Sequence, residues 1–387
     1  MNSIYSLLNN NSEYRRLFNE VYNQGIFDGN ALFLNHDERY KLVIDIVKGA
    51  RWIIVGDSGS GKSYLLAIIL GQFKNVWMFD PTGGLKDTLV EQYKKAKFKR
   101  SDLNKDWEFL EITKKKSDNR FCINVCDLHS RCVDIIFPMA DQGSASKIGN
   151  RQKLLDFFEL AKEEKTYRAF EDLCGTKLRY VLEELNIILD KKDKAPSIVE
   201  LYYGRKIIDI EGIGVRNFCI GALLQSLIGE RLELNVQERL DYKNFLVVGM
   251  DEAQRNCRNG TSVGDSFAQL GLECRKFGLA SVLCGSAYNK LHSDVRNAWN
   301  LAFVLSSKSL TSKYRNEVIN IFENEWKMLP DNGCFLFSKD GFYTGPEDKY
   351  FVVPSLEFFR CRKERLKHSD VVEKNGTGFC FSPNIFG

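Results

Sequence analysis

The stretch Trp52-Ile-Ile-Val-Gly56-Asp57-Ser58-Gly59-Ser60-Gly61-Lys62-Ser63-Tyr64-Leu-Leu-Ala-Ile-Ile-Leu70 decides the fold. Four apolar residues, rich in β-branched types, read as a buried strand, and the apolar run from Tyr64 reads as a helix. Between them lies a full G-x-x-x-x-G-K-S. Its glycines let backbone N–H groups turn inward around phosphates, and the helix N-terminus adds its dipole. The candidate phosphate cradle is therefore Gly56, Asp57, Ser58, Gly59, Ser60 and Gly61. Lys62 would reach the β- and γ-phosphates of ATP as a point charge, and Ser63 would offer its hydroxyl to Mg²⁺. The bland alternative is a glycine turn that merely joins strand to helix. All the fixed positions in the required strand–turn–helix context favour the phosphate loop.

Working outward, the most hydrophobic strand of the chain is Phe245–Met250, and it ends in Asp251-Glu252-Ala-Gln254. A carboxylate at such a strand end suits the Mg²⁺ shell, which makes Asp251 the partner of Ser63. The next carboxylate, Glu252, is placed to polarise an attacking water as a general base. Such a pair favours hydrolysis over phosphoryl transfer to a small molecule.

Further strands are expected at Val76–Phe79, Lys206–Ile210, Ala280–Cys284 and Ala302–Leu305. Helices are expected at Lys62–Gly71, Leu85–Lys97, Arg216–Gly229, Ser266–Phe277 and Asp294–Trp299. This alternation predicts an α/β fold with a mainly parallel sheet covered on both faces. Residues 1–48 read as a helical N-terminal arm, with one helix after Ser12 and a second over Asp37–Val47. The ATPase core is expected over 49–355. A charge-rich insertion at about 96–204 interrupts it, with helical stretches at Arg151–Glu164 and Leu178–Asp190. A tail follows at 356–387.

At 387 residues, with 44% hydrophobic and 27% charged, the composition is that of a folded globular protein and excludes whole-chain disorder. No apolar run approaches the ~18 residues of a membrane span, and the start has no basic, apolar leader. The expectation is a soluble protein of the cytoplasm, or of the host cytoplasm if the source is viral. A net charge of +4 is too small to argue nucleic-acid binding by itself. Basic residues do cluster at Lys94, Lys95, Lys97, Lys99 and Arg100, at Lys114–Lys116, and at Arg362, Lys363, Arg365 and Lys367; a solvated surface is the plainer account of each.

The 11 cysteines are an odd set in a chain without a signal peptide, which fits reduced thiols. Cys122, Cys126, His129 and Cys132 have ligand chemistry for zinc. Their spacing argues against it, because on one helix they would share a face and could not close a tetrahedron. The surrounding Phe121, Ile123, Val125, Val133, Ile135 and Ile136 read as buried strand instead.

Several segments together resemble the HerA–FtsK superfamily of ring-forming ATPases. Phe79-Asp80-Pro81-Thr-Gly-Gly is similar to the strand that ends in Asp-Pro and a glycine. Lys206-Ile-Ile-Asp209, followed by a long helix, is similar to the strand before the Walker B segment. Cys274-Arg275-Lys276-Phe277-Gly278 before an apolar strand is similar to the family's Gly-Arg-Lys-Tyr-Gly. Gly333-Cys-Phe-Leu-Phe resembles the closing glycine-led strand. The resemblance implies a RecA-like core in a hexameric ring that hydrolyses ATP at subunit boundaries and translocates or packages double-stranded DNA, recruited by a protein partner. It also implies that Arg275 enters the neighbouring subunit's site, with Arg255, Arg258 and Arg296 as rivals; helix capping by Arg275 is the plain alternative. One departure stands out. Ser286 occupies the place of the family's γ-phosphate-sensing glutamine, and Asn289 is a second candidate for that duty. The alternative function is a nucleotide-gated assembly or regulatory ATPase that acts on protein partners.

Overall fold

The computed structural model of the chain describes residues 31–33, 41–43, 50–56, 58–71, 73–95, 99–112, 121, 128–133, 135, 151–152, 155–156, 201, 203–210, 216–234, 245–305, 333–338 and 350–352. The core is a nine-stranded sheet. In chain order the strands are β3 (Ala50–Val55), β4 (Val76–Asp80), β5 (Glu108–Glu111), β6 (Arg205–Asp209), β7 (Leu246–Met250), β8 (Leu279–Gly285), β9 (Leu301–Leu305), β10 (Gly333–Ser338) and β11 (Tyr350–Val352). Their spatial order is β11-β10-β9-β3-β8-β7-β4-β6-β5. The seven from β9 to β5 are parallel, and β10 runs antiparallel to both β9 and β11.

A parallel sheet buries both faces, and the alternation along each strand shows it. Ile53, Val55, Trp77, Phe79, Val248 and Met250 point to one side. There they meet α4 (Arg216–Glu233), α5 (Ser262–Phe277) and the region around α6 (Ser293–Ala298). Trp52, Ile54, Val76, Met78 and Val247 point to the other side, onto α1 (Lys62–Leu70), α2 (Gly84–Lys95) and α3 (Arg100–Asp106). Helix α1 is apolar nearly all round, as a helix wedged into a core must be. No helix among the described residues is long and apolar enough to cross a membrane.

The expected α/β architecture and its six strands are present, and so are the five expected helices, two of them longer than expected. Four local expectations are corrected. Within the supposed second helix of the arm, Lys41–Val43 forms a strand (β2) that pairs antiparallel with β1 (Ala31–Phe33). The β-branched Val43 favours extended backbone there. The span taken as an insertion holds α3 and, after it, β5, the edge strand beside β6. Val133 and Ile135 are helical rather than strand. Helix α5 starts at Ser262, four residues before the first residue assigned to it. The helix after Ser12, most of Arg151–Glu164, the helix at Leu178–Asp190, Lys114–Lys116 and the tail 356–387 lie outside the described residues.

Asn75 aligns three strand starts. Its Nδ2 donates to the Phe245 carbonyl at 3.2 Å, and its Oδ1 accepts from the Gly204 amide at 3.0 Å. Its backbone carbonyl also accepts from the Val247 amide. Asn75→Ala leaves the buried Phe245 carbonyl short of a partner and removes the acceptor of the part-buried Gly204 amide, so it is expected to cost about 1–3 kcal/mol of stability. Urea unfolding of the two proteins measures this, and a loss below about 1 kcal/mol would remove Asn75 from that role.

Candidate nucleotide-binding site

The loop after β3 has the conformation its glycines permit. Gly59 and Gly61 have φ of 80° and 91°, in the left-handed region that residues with a Cβ seldom adopt. The Gly61 carbonyl accepts the Leu65 amide at 2.9 Å and opens α1. Lys62, the first residue of α1, is only 6% exposed, so its charge is held inside the loop rather than in solvent. The Ser60 hydroxyl is buried with no hydrogen-bond partner among the described residues, a donor that suits a phosphate oxygen. Asp57 lies outside the described residues, while Gly56 and Ser58 are placed in the loop.

The Ser63 hydroxyl donates to Asp251 Oδ2 at 3.0 Å. Asp251 is buried at the end of β7, and its Oδ1 accepts the Glu252 amide at 2.9 Å. A hydroxyl against a carboxylate is a hard oxygen pair of the kind Mg²⁺ prefers, so these residues fit that cation. Among the described residues no group of three or more His, Cys, Asp or Glu side chains forms a metal cage. Mg²⁺ in phosphate sites needs none, because water and phosphate supply most of its ligands.

Glu252 has φ 48° and ψ 39°, and it is the one non-glycine residue at positive φ among those described. That conformation costs a side chain about 1–2 kcal/mol. Strain of this sort gathers where geometry serves chemistry. Gln254, buried in the turn that follows, donates its amide to Glu252 Oε2 at 2.5 Å and to Ser286 Oγ at 3.2 Å. No sequence motif assigns Gln254 a role; a polar side chain closely following two acids is the one signal it gives. Ser286, after β8, is half-buried beside it, whereas Asn289 stands exposed on the turn Tyr288–Lys290.

The candidate arginines separate. Arg255 Nε lies 3.6 Å from Glu252 Oε2, and Arg258 Nε donates to the Gln254 carbonyl at 2.6 Å. Arg296 lies on α6, away from this turn in sequence and partly buried. The backbone of Arg275 is in the last turn of α5; its side chain lies outside what is described. Of the supposed zinc set, Cys122 and Cys126 are outside the described residues. The Cys132 thiol instead contacts Ser226 Oγ at 2.9 Å and the Ala222 carbonyl at 3.2 Å, and burial pushes it up to about 12. His129 Nδ1 accepts the Arg131 amide. Cys132, Cys219, Cys257, Cys284 and Cys334 are free and buried.

A strand–glycine loop–helix set beside an acidic strand end, within a parallel sheet, settles the architecture. The fold is a RecA-like P-loop core. No protein-family model matches the sequence, and no curated protein matches it. Solved structures do. The bacterial conjugative coupling protein TrwBdeltaN70 aligns with a TM-score of 0.50 at 14% identity, over 80% of this chain and 86% of that one. VirB4 of Thermoanaerobacter pseudethanolicus aligns at 0.47 and 12% identity, over 86% and 98%. The genome packaging NTPase B204 of Sulfolobus turreted icosahedral virus 2, in complex with ATP-gammaS, aligns at 0.32 and 11%, over 74% and 90%. At this level of identity, what the chain shares with the coupling protein is the fold.

Within the P-loop core, Asp80 is a residue whose weight only the structure reveals. Its Oδ2 accepts the Leu85 and Lys86 amides at 2.9 and 3.0 Å and so caps α2 from the end of β4. Burial pushes its carboxyl up to about 6; the Lys86 amide opposes this, and the carboxylates of Asp251 and Asp209 add to it. Because the folded value lies above the unfolded one, the folded protein holds more protons between about pH 4 and 6, and this group's contribution falls as pH rises through that window. Asp80→Asn keeps an oxygen for the cap and removes the charge. Urea unfolding from pH 4.5 to 7.5 should therefore show the wild type losing about 2 kcal/mol relative to the variant. Parallel pH curves would mean that Asp80 behaves as an ordinary carboxylate.

Proposed function

We propose that this protein is an ATP-hydrolysing motor that acts on double-stranded DNA as a homo-hexameric ring. The observation that carries the proposal is the 3.0 Å hydrogen bond between Ser63 and Asp251, with Glu252 next in the chain at the same strand end. It supports reading Ser63 and Asp251 as cation ligands set between the candidate phosphate loop and a candidate general base. Gly56 to Gly61 would cradle the α- and β-phosphates with backbone amides, and Lys62 would neutralise charge toward the γ-phosphate. Ser63 and Asp251 would hold Mg²⁺, which when bound would offset charge on the phosphates. Glu252 would orient the attacking water and take its proton. Arg275 would serve the neighbouring subunit's site and stabilise charge on the transferring phosphoryl group.

The choice of DNA rests on the sequence resemblance and on the fold shared with a conjugative coupling protein. The exposed Lys94, Lys95, Lys99 and Arg100, at the end of α2 and the start of α3, are a basic surface suited to phosphates, although Lys95 also pairs with Glu91.

The deciding measurement is steady-state ATP turnover with and without double-stranded DNA over a salt series. Stimulation that fades as salt rises is expected, because phosphate contacts release counterions. Turnover indifferent to DNA would favour the protein-directed assembly ATPase instead. Lys62→Ala should abolish ATP binding. Glu252→Gln should bind ATP and lose about 10²–10⁴-fold in kcat. Arg275→Ala should keep binding and lose about 10³-fold in kcat, with partial recovery on mixing with Glu252→Gln subunits. No recovery in the mixture would count against a site shared between subunits.

A further inference from the structure

The contacts around Glu252 point to a residue that no sequence motif assigns. We propose that Gln254 is a positioning residue: its side-chain amide holds the Glu252 carboxylate and ties it to the hydroxyl of Ser286 at the end of β8. The inference rests on the reading of Glu252 as general base, and it adds the device that sets where that carboxylate sits.

The geometry is specific. One amide nitrogen, Gln254 Nε2, spans Glu252 Oε2 at 2.5 Å and Ser286 Oγ at 3.2 Å, and so uses both of its N–H donors. The Gln254 backbone is itself fixed, because its carbonyl accepts from Arg258 Nε at 2.6 Å. Arg255 Nε approaches the same Glu252 oxygen at 3.6 Å from a solvent-exposed position, too far for a hydrogen bond. The buried amide is therefore the nearer hold. The end of β8 is shaped for it, since a Cβ on Gly285 would come within 2.3 Å of Gln254 Oε1. That same oxygen is buried with no hydrogen-bond partner among the described residues. A buried amide that leaves its carbonyl unpaired gives up a hydrogen bond to keep its nitrogen on Glu252 and Ser286. Glu252 meanwhile stays in a left-handed conformation that its own backbone disfavours. The arrangement links the loop after β7 with the end of β8, so a group that engaged the Ser286 hydroxyl would be felt at Glu252 through a single side chain.

The test compares kcat, KM and the affinity for a fluorescent ATP analogue in wild type, Gln254→Leu, Gln254→Glu, Ser286→Ala, Glu252→Gln and the double variant Glu252→Gln/Gln254→Leu. Gln254→Leu keeps the buried volume, and Gln254→Glu keeps the shape but replaces the donor with an acceptor. Both are expected to lose about 10–100-fold in kcat, a fraction of what a general base supplies, with KM and nucleotide affinity within about 2-fold of wild type. Ser286→Ala should lose less, in the same direction. The double variant should be no slower than Glu252→Gln alone, because the two residues act as one unit. Wild-type kcat in both Gln254 variants, beside an inactive Glu252→Gln, overturns the inference and leaves the proposed function standing. A loss of nucleotide affinity equal to the loss in kcat also overturns it, since Gln254 would then only support the fold of the site. Full turnover by Glu252→Gln overturns the assignment of the base, and the inference falls with it. If Gln254→Leu fails to fold, Gln254→Glu and Ser286→Ala carry the same outcomes.

Discussion

The hydrogen bond from the Ser63 hydroxyl to the Asp251 carboxylate joins the ends of β3 and β7, two strands that are separated by a third. Neighbouring strands lie about 4.8 Å apart, so the bond has to close a gap of about 10 Å over the end of β8. Two short side chains manage this only if the intervening strand ends in small residues, and β8 ends in Cys284 and Gly285 with Ser286 following. Register matters as much as size. Val55 faces Gly285, and Met250 faces Leu283, so the acids follow β7 from a point two positions earlier along β8 than the point where the loop leaves β3. A slip of β8 by one residue against either neighbour would turn its side chains to the opposite faces and change that offset. The two cores on either side of the sheet forbid that slip, because each strand has apolar residues committed to both faces.

The same strand ends concentrate negative charge. Asp80, Asp209 and Asp251 end or follow β4, β6 and β7, which are adjacent in the sheet. Left alone, three carboxylates there would oppose folding and would repel a phosphate. The fold offsets them one at a time. The start of α2 gives Asp80 two backbone amides, and Asp251 takes one from Glu252 and the hydroxyl of Ser63. Cys284, fully buried beside Asp251, adds no charge of its own: burial raises its thiol well above the ordinary value, the Asp251 carboxylate pushes the same way, and Lys62 only partly opposes them. Its neutrality is useful, since a thiolate there would stand against Asp251.

Much of this was legible in the sequence, and the reasons for the exceptions are physical. The loop from Gly56 to Ser63 and the strand ending in Asp251 announce themselves because backbone chemistry demands those residue types at those spacings. The other buried strands announce themselves through unbroken apolar runs. Strand β5 does not, because Glu108-Phe-Leu-Glu111 is four residues long with an acid at each end; it lies at the sheet edge, and Glu108 pairs with Lys206 of β6. Strand β2 was hidden among residues with mixed preference, and three residues are too few for a period to show. The capping by Asp80 depends on where α2 begins relative to β4. The link from Gln254 to Ser286 spans 32 positions of sequence, and it exists only because β7 and β8 are neighbours. No local pattern carries such a contact.

The direction of the Ser63 hydrogen bond also bears on how the site would take a cation. The hydroxyl donates its one proton to Asp251 Oδ2, so both oxygen lone pairs of Ser63 are left unspent by that bond. The carboxylate is an acceptor with several lone-pair positions, and it uses one on Oδ2 for Ser63 and one on Oδ1 for the Glu252 amide. Neither contact therefore has to break for the pair to serve a hard cation. The capped, buried carboxylate is thus organised before any ligand arrives, and a site that needs little rearrangement spends little of its binding energy on ordering itself.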